Sequence, residues 1–172
     1  MESLAWWPTV LVMMIAAIVD VRSQRIPNWL VFPFLFAGIV VSAITDGWAG
    51  VGRSMLGVLI AVVLMGGLYV LGGMGMGDVK LCAGLGAWIG PHQLWLALAF
   101  MGLAGGLMVF GWAICRGFVS ETLGGMGDLI AGIGKRGLRP HPTLALSNPA
   151  ARRMPYAPAI AVGAILSFFA LS

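Results

Sequence analysis

The sequence predicts an all-α polytopic membrane bundle of about six transmembrane helices, and three observations predict it. Sixty per cent of the 172 residues are hydrophobic and only 9% are charged, against about 45–50% and about 25% in an ordinary soluble domain. The mean hydropathy is +0.98. The apolar residues also fall in blocks, most of them near the 17–25 residues, roughly, that cross about 30 Å of hydrocarbon as a helix. So few charges cannot cover a soluble globule, which excludes a soluble enzyme, a disordered tail and a DNA-binding domain. Ten bases and six acids give a net charge of +4. The bases stand between apolar blocks, so they point to anionic lipid and to topology, with no nucleic-acid partner. Cys82 and Cys115 form no C-x-x-C pair. No zinc site, metal site or disulfide framework is expected.

The first block, Leu4–Val19, opens behind Glu2 with no basic cluster and no small-residue cleavage site ahead of Asp20. It therefore reads as a span and not as a cleaved signal. Trp29–Thr45 follows Pro27-Asn28, Asp46-Gly47 supplies a turn, and Ser54–Leu71 is the third span. The fourth, Val79–Ile89, is only 11 residues, about 16 Å of helix. Charge argues that it crosses nonetheless. With six spans, the loops 20–28, 72–80 and 115–155 share one side and hold nine of the ten bases, leaving Arg53 on the other. A fourth segment that turned back would move the most basic loop outside, against the positive-inside rule. Its helix is expected to begin in a water-filled recess and run on beyond Gly90-Pro91. Leu94–Ile114 and Tyr156–Leu171 complete the set, with both termini outside. Trp6, Trp7, Trp29, Trp48, Trp88 and Trp95 lie near span ends, as an aromatic belt would. Residues 1–172 read as one integral membrane domain. Within it, 116–154 reads as a cytoplasmic amphipathic segment in which Phe118, Leu123, Leu129 and Ile133 alternate with charges.

A carboxylate in hydrocarbon costs about 2.5–3.5 kcal/mol on insertion scales, so acids beside spans call for a reason. Glu2 is near the terminus, Asp46 is in a turn, and Glu121 and Asp128 fall in the surface segment. Asp20 and Asp78 remain, one closing the first span and the other opening the fourth, both on the basic side. Asp20 taken alone could simply end a helix. Asp78 follows Gly73-Met74-Gly75-Met76-Gly77, and such glycines permit unusual dihedrals and close backbone approach. No Gly-Lys-Ser/Thr follows, so a phosphate loop is unsupported. Two carboxylates facing one cavity can share a proton, one activating water and the other protecting the developing oxyanion. His92 and His141 fall on opposite sides without partners, and no H-E-x-x-H occurs. A proton relay or helix-packing role, in a small transporter or an assembly component, stays open beside peptide hydrolysis.

At these residues the chain resembles the type IV prepilin (leader) peptidases, membrane aspartic peptidases of the G-x-G-D type. The pattern Asp-x-Arg-x-x-x-Ile-Pro-Asn is met at 20–28, and Gly-x-Gly-Asp-x-Lys-Leu at 75–81. Arg153-Met154-Pro155-Tyr156-Ala157-Pro158-Ala159-Ile160-Ala161 resembles the entrance to the family's last helix. The resemblance implies Asp20 and Asp78 as the catalytic pair, with Gly75, Gly77 and Lys80 shaping the site or holding substrate. It implies no cofactor. It also implies a bacterial inner-membrane location, a cytoplasm-facing site, and prepilins with a basic leader and an apolar helix as substrates. Larger members carry paired C-x-x-C motifs and methylate the new N-terminus. This sequence lacks those motifs, resembles the short form of Flp/tight-adherence pilus systems, and is not expected to methylate.

Overall fold

A computed structural model of the chain describes residues 2–71, 74–116 and 155–171. It has three long apolar helices, α1 (Glu2–Ser23), α2 (Asn28–Val70) and α3 (Met76–Arg116), and a shorter one, α4 (Ala157–Leu171). Helix α1 runs past Asp20 and stops where Gln24 adopts φ 50°, a left-handed cap conformation. Pro27, extended at φ −73° and ψ 138°, then sets the start of α2.

Helix α2 has 43 residues, about 64 Å at 1.5 Å per residue, or roughly twice the hydrocarbon thickness. It does not run straight. Gly47 takes φ 60° and ψ −142°, a left-handed geometry that favours glycine. Beyond it the chain folds back so closely that a Cβ on Gly50 would collide with the carbonyl of Ser42. At the same end Arg53 pairs with Asp46 at 2.8 Å. Helix α3 repeats the device at Gly90 (φ 71°, ψ 179°), with Pro91 opening the next arm. Cys82 and Met101, on either side of that reversal, bring their sulfurs to 3.9 Å. The helix therefore does not run on beyond Gly90-Pro91 as the sequence suggested. It turns there, because only glycine adopts that backbone at little cost.

The arm 76–89 lies between the two arms of α2. Phe34 stacks on Trp88 with centroids 5.6 Å apart, while on the other flank the Ser54 hydroxyl donates to the Ala87 carbonyl at 2.7 Å. Gly57 and Gly86 meet backbone to backbone, leaving no room for a side chain on either. Residues 81–88 are all buried. A helix enclosed by protein on every side is hydrophobic all round, which is why this arm carries no polar stripe. Trp88 does not take the expected belt position. Its ring is buried against Gly38, and its indole N–H donates to the Phe34 carbonyl at 2.8 Å. Trp7, Trp29, Trp48 and Trp95 are exposed.

Helix α4 packs on the second arm of α3, where Gly163 meets Ala97 and Met101, and on α1, where Trp6 faces Phe168 edge-on. The outer faces carry Leu11, Phe36, Ile44, Leu59 and Leu103, all exposed. A contiguous apolar exterior of that kind marks a surface made for lipid. The amphipathic segment read over 116–154 lies outside the described residues except for Arg116, the last residue of α3.

Candidate active site

One end of the bundle gathers the C-terminal turn of α1 and the N-termini of α2, α3 and α4. There the two sequence motifs touch. A Cβ on Gly77 would stand 3.2 Å from Ile26 Cβ, and Lys80 Nζ donates to Asn28 Oδ1 at 3.1 Å. The Ile-Pro-Asn half of the first motif is thus the seat on which the Gly-x-Gly-Asp turn rests.

Asp78 is 8% exposed and stands in the first turn of α3. Its Oδ2 accepts the Gly75 N–H at 3.3 Å, while the N–H groups of Asp78 and Val79 donate to the Gly75 carbonyl at 3.1 and 3.3 Å. Gly75 is thus the cap of the helix, and Asp78 reaches back to it as the acid of a capping box does. Neither Gly75 nor Gly77 has a positive φ. Space is what these glycines supply, since a Cβ on Gly75 would lie 3.1 Å from Asp78 Oδ2. The other oxygen, Oδ1, is buried with no hydrogen-bond partner. A buried carboxylate oxygen left unpaired is costly, so helix capping accounts for half of this side chain and leaves the other half unexplained.

Asp20 is 5% exposed. A negative charge near a helix C-terminus is unfavourable to its own helix. The compensation comes from α4: Asp20 Oδ2 accepts the Ala157 N–H at 3.0 Å, and the Tyr156 N–H faces the same carboxylate. These are unpaired first-turn donors of the kind that anions satisfy. Asp20 thereby docks α4, a partner 137 residues away, onto α1. In sequence the Tyr156-Ala157 stretch resembles a helix entrance, and nothing in its residue types marks it as the partner of Asp20, because a backbone donor leaves no mark on residue type.

Asp20 and Asp78, separated by 58 residues in sequence, lie within electrostatic reach of each other. Lys80 does not join them. It is turned to Asn28 and sits 5.4 Å from the centroid of the Phe32 ring. No group of three or more metal-ligating side chains occurs among the described residues. An apolar groove of about 420 Å³ runs between α1 and α4, lined by Met14, Ile18, Val21, Arg22, Val162 and Ile165 among others. It occupies the face of α1 turned away from Met13, Ala16 and Asp20, which point inward.

The profile of the type IV leader peptidase family matches residues 7–114, which include both acids. The chain is 30% identical to the prepilin leader peptidase/N-methyltransferase of Aeromonas hydrophila, over 57% of this chain and 36% of that protein. It is 29% identical to the protein of the same description from Bacillus subtilis, over 96% of this chain and 56% of the relative. The chain thus spans about a third to a half of the length of these relatives. No solved structure gives a significant match.

Proposed function

The chain belongs to the type IV leader peptidase family, and from that premise we propose that it is a membrane-embedded aspartic endopeptidase. It removes the short basic leader from prepilins at the cytoplasmic face of a bacterial inner membrane, with Asp20 and Asp78 as its catalytic pair. The observation that carries the reading is Asp78 Oδ1, buried and unpaired beside a second buried carboxylate. The pair holds one proton. The ionised member draws a proton from water as the water oxygen attacks the peptide carbonyl carbon. The protonated member hydrogen-bonds the oxyanion and then gives its proton to the leaving nitrogen as the C–N bond breaks, so the pair again holds one proton. Six membrane crossings follow if each arm of α2 and α3 spans once, a reading supported by the reversals at Gly47 and Gly90. Prepilins of Flp/tight-adherence pilus systems are the substrates we propose, on the resemblance of the sequence to the short-form peptidases of those systems.

A second reading has an observation behind it. Each acid caps a helix end, so both could serve packing alone. Asparagine separates the two, because its amide oxygen still accepts the Gly75 or Ala157 N–H but cannot shuttle a proton. Asp20→Asn and Asp78→Asn should each lower cleavage of a co-expressed prepilin by at least about 10²-fold, with normal membrane levels. Substantial processing by either variant would leave the acids as packing residues.

A further inference from the structure

We infer that the Tyr156 hydroxyl is a third catalytic group, donating a hydrogen bond to the scissile carbonyl oxygen as it becomes the oxyanion. This rests on the peptidase reading above and adds to it a residue outside the acid pair.

Three features of placement support it. Tyr156 is fixed at its backbone, because its carbonyl accepts the N–H groups of Ala159 and Ile160 at 3.0 and 3.2 Å and so caps α4. The next residue, Ala157, donates to Asp20. The ring therefore leaves the chain one residue from the first carboxylate. Its direction is set by Gly105, where a Cβ would come 3.1 Å from Tyr156 Cε1 and 3.5 Å from its hydroxyl. Helical register places Gly105 on the same face of the α3 hairpin as Asp78. Cys82 and Met101 are opposed there, and four residues back from one and four on from the other give Asp78 and Gly105. One phenol thus reaches from the Asp20 side of the site toward the Asp78 side, within electrostatic reach of Asp78.

The protonated acid supplies one hydrogen bond to the oxyanion, and a second donor would share the charge that develops there. The N–H groups of Gly75 and Ala157 are already committed to the acids, and Lys80 is committed to Asn28. Among the described residues the Tyr156 hydroxyl makes no hydrogen bond. A half-buried phenol whose O–H has no partner among the described residues, held at both backbone and ring, is a preorganised donor of the kind that stabilises developing charge. It forms and breaks no covalent bond, and its proton stays on oxygen throughout.

The test is steady-state cleavage by the full chain in liposomes, using a prepilin with a short basic leader and an apolar helix as the probe. Wild type, Asp20→Asn and Asp78→Asn are assayed alongside. Tyr156→Phe keeps the ring and its packing on Gly105. It should lower kcat by about 10²-fold, with KM within about twofold and thermal stability unchanged. Gly105→Ala shifts the ring and should cost several-fold in wild type but nothing further in Tyr156→Phe, because the hydroxyl that it misplaces is already gone. Wild-type kcat in Tyr156→Phe, or a loss that only tracks lost stability, overturns the inference while the acid pair stands. Additive losses in the double variant also overturn it. A wild type that does not cleave, or an active Asp→Asn variant, removes the peptidase reading and this inference together.

Discussion

At Asp78 the two carboxylate oxygens do different work, and the same residue yields a test by pH. Oδ2 belongs to the helix cap and Oδ1 is left bare beside Asp20. Carboxylates that feel one another lose their protons in two steps belonging to the pair and to neither residue alone. Only the singly protonated pair has both a base for water and an acid for the oxyanion. The rate should therefore rise as the first proton leaves and fall as the second leaves, giving a bell. A wild-type pH–rate profile in detergent that climbs to a plateau, with no alkaline fall while the protein stays folded, would contradict a shared proton. Lys80→Met should leave both limbs in place. Although Lys80 is two residues from Asp78, its ammonium is engaged with Asn28 and Phe32. Residue type and spacing made both acids legible. They gave no hint of which oxygen was already occupied, since that depends on backbone donors, the local Gly75 N–H at Asp78 and the Ala157 N–H brought in by α4 at Asp20.

At the scale of elements, glycine has three distinct uses here that look alike in a sequence. Gly47 and Gly90 carry positive φ and reverse the chain. Gly57 and Gly86, 29 residues apart, carry none and are there so that two helices can meet backbone to backbone. Gly52 does neither and has nothing within 4 Å of its would-be Cβ. Gly57→Val should therefore force α2 from the arm 76–89 and destabilise the fold by about 1–3 kcal/mol, the usual range for overpacking. Gly52→Val should be nearly silent. Denaturant titration of the two variants in the same detergent measures the difference, and equal stability would show that the Gly57–Gly86 contact is dispensable. The helices and the turn at Gly47 were readable because hydrophobic length and turn residues are properties of the local sequence. The burial of Trp88 was not, because a tryptophan near a span end looks the same whether Gly38 opposite makes room for its ring or lipid does. The burial of the whole arm 81–88 has the same origin, because no window of 11 residues tells protein neighbours from lipid.

For the molecule as a whole, the distribution of charge about the two ends makes orientation testable without a substrate. The end that holds Asp20 and Asp78 also holds Arg22, Arg25 and Lys80, and it is where α3 ends at Arg116 and α4 begins. The segment between those two helices, with Lys135, Arg136, Arg139, Arg152 and Arg153, therefore departs from and returns to this same end. The opposite end, at the Gly47 and Gly90 reversals, has Arg53, already paired with Asp46 at 2.8 Å. Lysine and arginine bias a span end toward the cytoplasm, so the acid-bearing end should face inward. A cysteine at Ser23, which is exposed at that end, should resist an impermeant thiol reagent in intact cells and react once the cells are opened. A cysteine at Ala49, exposed beside the Gly47 turn, should react in both. Cys82 is buried but Cys115 is exposed, so both are replaced by alanine first, and the alanine background must be unlabelled. Labelling of Ser23→Cys from outside, with Ala49→Cys protected, would show an inverted bundle and place the acids on the face away from newly made substrate. Labelling of both from outside would mean that the first arm of α2, between them, does not cross. That result would remove the six-crossing arrangement even if the acid pair proved catalytic, because the number of crossings depends on the Gly47 hairpin and the chemistry on the far end of the same helices.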